Sequence, residues 1–441
     1  MVDRKSIKCG SIRLALSALG IWACCGQAFS QVAPAVPARQ VFYSTVKPLT
    51  DTIGQVQSDP RPKTAAGALQ AFDWLIFGNV AIGGTYDSNV FDSPNKQAVY
   101  GARFQPSIIA ERNTGIQRTL VYGIGDLRYY PSIGRTDLFG TAAGVEHVWE
   151  IQRDLVFRTQ FDAARTQQNS SLVGVLSGSG TYYVKPVNYT SLFGSTSIEK
   201  SFGRFFTAIG GSVTGNIYDD TTDSLGKTID EHFQDGTRTT LNGRVGYHIT
   251  PIVYGFVEPS VNWGRFQSAK LDSNGYRIVG GLGTARISLF NGEIYAGVLT
   301  EHFSDPATST LNRPVFGGRL SWYPTRFLTL TGSYDQSIGT SDFNPTIFSP
   351  GSVTKIDTSK FLASWSMRRN VTLDGSVQYQ HFEYLNSTRL DNLTQYDIKI
   401  SYMLTERLGV YLQDTYNQLT SNTSGVAYNR NFVSLGAKSK F

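Results

Sequence analysis

Five histidines, His147, His232, His248, His302 and His381, are the side chains of this sequence best suited to proton transfer or metal binding, and no two stand at a ligand spacing. His302 follows Glu301 and precedes Asp305, which could form half of a hydrolase site. One base beside two acids does not establish a catalytic set, and a solvated loop edge explains the same residues. Asp219, Asp220 and Asp223 offer oxygen ligands of the kind Ca²⁺ takes, but without a fixed ligand spacing they read as solvated loop acids. Gly280-Gly281-Leu282-Gly283 and the pair Gly123 and Gly125 lie inside strand patterns, where small residues relieve crowding or allow a bend rather than cradle a phosphate. The expectation is no catalytic set, no metal and no cofactor.

The charges that do recur fall on every second residue of apolar stretches. In the run from Val253, Val253, Gly255, Val257, Pro259, Val261 and Trp263 alternate with Tyr254, Phe256, Glu258, Ser260, Asn262 and Gly264. From Tyr396 onward, Tyr396, Ile398, Ile400, Tyr402 and Leu404 alternate with Asp397, Lys399, Ser401 and Met403. Successive strand residues point to opposite faces, so each run has an apolar and a polar side. The same parity puts Arg103, Arg158, Arg244, Glu258, Arg286, Arg319, Asp374, Asp397 and Lys399 on the polar side. A charge facing lipid at mid-membrane costs about 2–4 kcal/mol, so in a membrane these residues would line a lumen.

The elements that must position them are strands. Short turns recur at Gln152-Arg153-Asp154, Thr250-Pro251, Asn291-Gly292, Pro324-Thr325-Arg326, Arg368-Arg369-Asn370 and Thr405-Glu406-Arg407. Between these hairpins run longer polar stretches, near 166–185, 218–236, 267–274, 304–311, 337–355 and 419–426. Alternating short and long connections are the pattern of an outer-membrane barrel. The expected fold is all-β: a transmembrane antiparallel up-and-down β-barrel of about 18 strands, with 16 as the alternative count. Pro106 has no N–H to give a ladder and requires a bulge or an unpaired position. Tyr129, Tyr130, Trp149, Trp322, Tyr323 and Tyr402 near strand ends fit aromatic girdles. The last stretch, with Val433, Leu435 and Ala437 on one side and Lys438 and Lys440 on the other, is expected to close the barrel against 78–89.

Composition agrees. The 441 residues include 44 glycines, 23 tyrosines and 26 phenylalanines but 3 methionines, a balance that suits strands better than helices. Residues 1–30 read as a signal peptide: Arg4, Lys5, Lys8 and Arg13 precede an apolar stretch, and Ala28-Phe29-Ser30 permits cleavage before Gln31. A lipidated Cys24 or Cys25 is the alternative, which Trp22 disfavours. All 3 cysteines lie in this segment, so the exported chain would carry neither thiol nor disulfide. Its removal takes four basic residues and one acid from a chain of net charge +6, which weakens any nucleic-acid reading. Residues 31–77, punctuated by Pro34, Pro37, Pro48, Pro60 and Pro62, read as a flexible periplasmic leader before a barrel over 78–441.

Gly83-Gly84-Thr85-Tyr86-Asp87-Ser88-Asn89-Val90-Phe91, together with the terminal 433–441, resembles the putative β-barrel porin 2 family of Gram-negative outer membranes. The resemblance implies an outer-membrane location, contact with lipid and lipopolysaccharide, and passive passage of small hydrophilic solutes or saccharides without chemistry. It also implies that Val433, Leu435, Ala437 and Phe441 form the signal read by the barrel assembly machinery, although Ser439 stands where an apolar residue is usual. Some members accompany exopolysaccharide systems, which implies as an alternative an export or assembly component docking through the leader. A hydrolase at His302 and a soluble adhesin are the remaining alternatives.

Overall fold

A computed structural model describes residues 69–440 except 93, 95, 134–137, 168–186, 223–224, 288, 307, 341–352, 386 and 425. The signal peptide, most of the leader, Asp223 and Phe441 therefore lie outside the described residues. Strands dominate, for the reason the alternation gives: each has one face that packs inward and one that does not. They are β1 (Trp74–Asp87), β2 (Val99–Asn113), β3 (Gln117–Tyr129), β4 (Leu138–Gln152), β5 (Leu155–Gln167), β6 (Asn188–Phe202), β7 (Phe205–Tyr218), β8 (Gly236–His248) and β9 (Val253–Phe266). The second half supplies β10 (Ser273–Ile287), β11 (Phe290–Phe303), β12 (Leu311–Thr325), β13 (Leu328–Thr340), β14 (Val353–Arg368), β15 (Val371–Tyr384), β16 (Leu390–Met403), β17 (Leu408–Ser421) and β18 (Tyr428–Lys440). Each pairs antiparallel with its successor, and β18 returns to β1 from Asn79↔Lys440 to Asp87↔Phe432. The result is a closed 18-strand barrel with one extra short strand, Leu69–Ala71, folded back on the start of β1. The expected closing pair is thus a hydrogen-bonded ladder.

The closure has a steric cause. Gly83 and Gly436 face each other across the last ladder, and a Cβ on Gly436 would lie 2.1 Å from the Ile82 carbonyl oxygen. Tyr411 from β17 lies over Gly83, where a Cβ would meet its hydroxyl at 2.7 Å. Two facing glycines let the strands approach under that ring.

One end of the barrel has only short connections, at 114–116, 153–154, 203–204, 249–252, 288–289, 326–327, 369–370 and 404–407. Two of these, 114–116 and 203–204, escaped the sequence reading; they turn on Gly115 and Gly203, both at positive φ. One expected turn is corrected. Asn291-Gly292 lies inside β11, and the connection is 288–289. Gly292 is required by the neighbouring strand instead, because a Cβ there would sit 2.0 Å from the Arg319 carbonyl oxygen. The loop expected over 337–355 is also shorter, since β13 runs to Thr340 and β14 starts at Val353. The first strand starts at Trp74, ahead of the expected Gly78.

Pro106 acts as expected. The β2–β3 ladder skips from Phe104↔Leu127 to Ser107↔Ile124 around Pro106, without a register shift. Around Pro259 the β8–β9 ladder skips in the same way, from Asn242↔Ser260 to Val245↔Val257. Outside, the barrel is apolar: Ile82, Phe104, Ile209, Val257, Leu282, Phe316, Ile398 and Leu435 are all exposed. Trp149, Trp322 and Tyr402 are exposed near the short-connection end and Tyr129 near the other. Tyr130 departs from the expected girdle: it is buried and donates to Asp87.

Candidate functional site

The inner face is where polar chemistry collects, and glycine makes room for it. In the arc from β7 to β13, aromatic rings occupy the space a Cβ would take at glycines of neighbouring strands: Phe206 at Gly246, Phe256 at Gly281 and Tyr254 at Gly283. Phe206 and Tyr254 meet edge to face with centroids 5.7 Å apart. On this floor rests Arg244, its guanidinium 3.9 Å from the Phe256 ring centroid. Its Nε donates to Glu258 at 2.8 Å, while Nη1 and Nη2 donate to Glu293 at 3.1 and 3.3 Å. Tyr254 donates its hydroxyl to the same Glu293. The Arg244 side chain has 0% exposure, so one cation and two carboxylates form a desolvated unit. Above it, Arg277 stacks on Tyr295, whose hydroxyl donates to Asp335 at 2.7 Å.

A second group spans the closing ladder. Arg103 of β2 donates from Nε and Nη2 to Asp126 at 2.8 and 2.9 Å and from Nη1 to Gln413 of β17 at 2.9 Å. Gln413 and Thr415 both donate to Asp397, at 2.7 and 2.6 Å. Lys399 lies 5.2 Å from the Tyr411 ring centroid, and Arg128 donates to Asp126 at 3.0 Å. Between the two groups, Arg158 donates to Glu199 at 3.3 Å and Tyr122 to Asp162 at 2.6 Å. Where the chain closes, Arg430 donates to both Asp87 and Asp92. The inner face therefore carries both signs, interleaved in hydrogen-bonded sets.

This is an apolar-outside, polar-inside closed barrel. A model of the putative beta-barrel porin 2 family matches residues 61–441. The chain belongs to that family. No curated protein matches it. Among solved structures, a mutant of the ferric enterobactin receptor PfeA from Pseudomonas aeruginosa aligns at 9% identity and TM-score 0.40, covering 83% of this chain and 80% of that one. The copper transporter OprC aligns at 9% identity and TM-score 0.43, covering 85% and 81%. OccK3 (OpdO) from Pseudomonas aeruginosa aligns at 13% identity and TM-score 0.39, covering 83% and 95%.

In this porin-family barrel the residues singled out from sequence fall as follows. Arg103, Arg158, Arg244, Glu258, Asp374, Asp397 and Lys399 are buried on the inner face, and Arg319 is half-buried there. Arg286 lies in β10 beside a register shift between Thr284 and Ile287, and its side chain is outside the description. Val433, Leu435 and Ala437 face outward as expected, with Phe432, Ser434 and Lys438 buried opposite them. Glu301 and His302 are not brought together. Adjacent strand residues point to opposite faces, so Glu301 is buried against Ser273, Asn262 and Arg238 while His302 is exposed beside Thr310. Asp219 binds Arg165, and Asp220 lies 3.7 Å from His232, so neither stands as an open cation ligand. Among the described residues no group of three or more His, Cys, Asp or Glu is placed to hold a metal. The sequence reading missed Asp126, Glu293, Tyr254 and Gln413, whose only signal was an inward parity.

Proposed function

We propose that the protein is a channel of the Gram-negative outer membrane through which small hydrophilic solutes, saccharides among them, cross by diffusion. The observation that carries this reading is the pairing of an apolar exterior with a charged interior in a closed ring of strands, since among sheets a closed barrel is the form that leaves no open edge in lipid. No bond is made or broken in this reading; polar inner rows replace solute hydration as the solute passes. The placement of both signs side by side, Arg244 with Glu258 and Glu293 and Arg103 with Asp126, supports weak ion selectivity. The outward Val433, Leu435 and Ala437, with Phe441, serve as the assembly signal in the same reading. Purified folded protein in planar bilayers should give discrete channel events and leakage of sugars from liposomes; a preparation that is folded yet silent in both sinks the channel.

A further inference from the structure

Among the described residues, the barrel wall has one long discontinuity. The ladder between β12 and β13 ends at Gly318↔Tyr334, so the stretches Leu311–Gly317 and Asp335–Thr340 have no cross-strand partners in each other. Both continue to pair on their far sides, β12 with β11 as far as Leu311 and β13 with β14 as far as Thr340. Proline contributes to this. The Phe316 N–H points toward β13, where it donates to the Gln336 side chain at 3.1 Å, and strand alternation puts the N–H that Pro314 lacks on that same edge. Yet Pro106 and Pro259 interrupt their ladders only locally and the pairing resumes, so a proline alone does not open this much wall.

Side chains stand in the gap where backbone should. Arg313 of β12 donates to both carboxylate oxygens of Glu383 of β15, at 2.8 and 2.7 Å, past the two strands between them. Lys355 lies 3.7 Å from Glu383 and 2.8 Å from Asp357. Gln336 donates to Asp357 at 3.0 Å and returns the ring to β12 through Phe316. Arg313 belongs to the inward set of β12, with Val315, whereas Glu383 belongs to the outward set of β15, with Val377 and Tyr379. Their contact therefore passes through the plane of the wall. Below the gap the strands are pinned by Tyr295 and Asp335, the tyrosine passing over Gly317. Above it a polar cleft of 430 Å³ opens, lined by Asn312, Arg313, Glu383, Ser387 and Thr388 among others, within the size range of small-ligand sites. On the outer surface at the same level, Phe316 is exposed and stacks on Tyr334 at 5.2 Å.

We propose that this seam is a lateral opening through which an amphipathic molecule passes between the barrel interior and the surrounding membrane. Its polar end sits in the cleft against Arg313 and Glu383, and its apolar chain lies over Pro314, Phe316 and Tyr334. A seam closed by solvent-accessible side chains parts at far less cost than a backbone ladder. The proposal rests on the membrane location but not on diffusion along the barrel axis.

The test uses full-length protein in liposomes containing a lysophosphatidylcholine with a photoreactive diazirine in its acyl chain, and locates adducts by mass spectrometry. Expected are adducts on the inward residues Val315 and Asp335. They should rise about threefold in the double variant Arg313→Ala, Glu383→Ala, the shift that follows loss of an accessible ion pair. They should disappear when Pro314→Cys and Ile338→Cys are bridged with a bismaleimide after folding, while adducts on outward Phe361 and Trp365 persist. Adducts confined to outward residues in every variant, or inward adducts indifferent to latch and bridge, overturn the seam. Sugar leakage from the same liposomes reads the axial channel separately: its absence alongside latch-dependent inward adducts removes the channel and leaves the seam.

Discussion

At the scale of single residues, the inner charges are held rather than free. Arg244 bridges two buried carboxylates, so Arg244→Ala leaves Glu258 and Glu293 without their shared cation. Removing one partner of a buried ionic set costs about 3–5 kcal/mol, and the folded band on semi-native gels should convert to the unfolded one at a clearly lower temperature than in wild type. A second case lies in the long connection 219–235, outside the barrel strands. His232 is 2.7 Å from the Asp235 carboxylate, whose hydrogen bond raises its pKa above the ordinary value, with Asp220 and Asp230 adding to the effect. A raised folded value means that the stabilisation is fully present below the unfolded pKa of about 6.5 and is lost as pH rises through the folded one. Tryptic nicking after Lys227, normalised to the His232→Gln variant, should therefore accelerate as pH rises from the imidazolium form to the neutral form. A ratio that stays flat across that range would remove His232 from loop stability.

At the scale of elements, glycine decides where strands can carry large side chains or come close. The closing pair Gly83 and Gly436 has no room for a side chain under Tyr411, and a Cβ at 436 would overlap the β1 backbone. Gly436→Val should cost about 3 kcal/mol as an overpacking change, and should slow or prevent appearance of the heat-modifiable folded form in refolding assays. Gly84→Ala on the adjacent position, where a Cβ meets nothing within 4 Å, is the control and should fold as wild type does. The same element logic accounts for what was readable. Alternation is a local property of each strand, so the inward placement of Glu258 and Asp397 was legible from neighbours in sequence. Turns that depend on one glycine, at Gly115 and Gly203, were not, because a single positive-φ residue leaves little pattern around it. The Asn291-Gly292 dipeptide misled for a related reason: a strong turn signal was overridden by the close approach of β12.

At the scale of the whole molecule, eighteen strands form a ring whose last ladder ties the two ends of the described chain. Function in this ring is proposed to reside in the barrel, with the stretch 31–68 dispensable for conduction. Deleting 31–68 from the exported protein should leave channel amplitude in planar bilayers unchanged; secretion of an extracellular polymer lost while conductance persists would instead favour a docking role for that stretch. Loss of conductance on the same deletion would place the leader inside the conducting machinery and contradict the reading.

The sequence by itself determined the closed all-β ring, its two faces and its closing pair, because a two-residue period is local and a membrane tolerates strands only when none is left as an edge. Tertiary structure alone decided which charges neutralise which. Arg103 meets Gln413 and Arg430 meets Asp87 across most of the chain, and no spacing in sequence marks such partners. It also decided where a ladder stops short. Pro314 resembles Pro106 and Pro259 in sequence, and only the position of β13, β14 and β15 beside it turns one missing donor into a seam held by side chains.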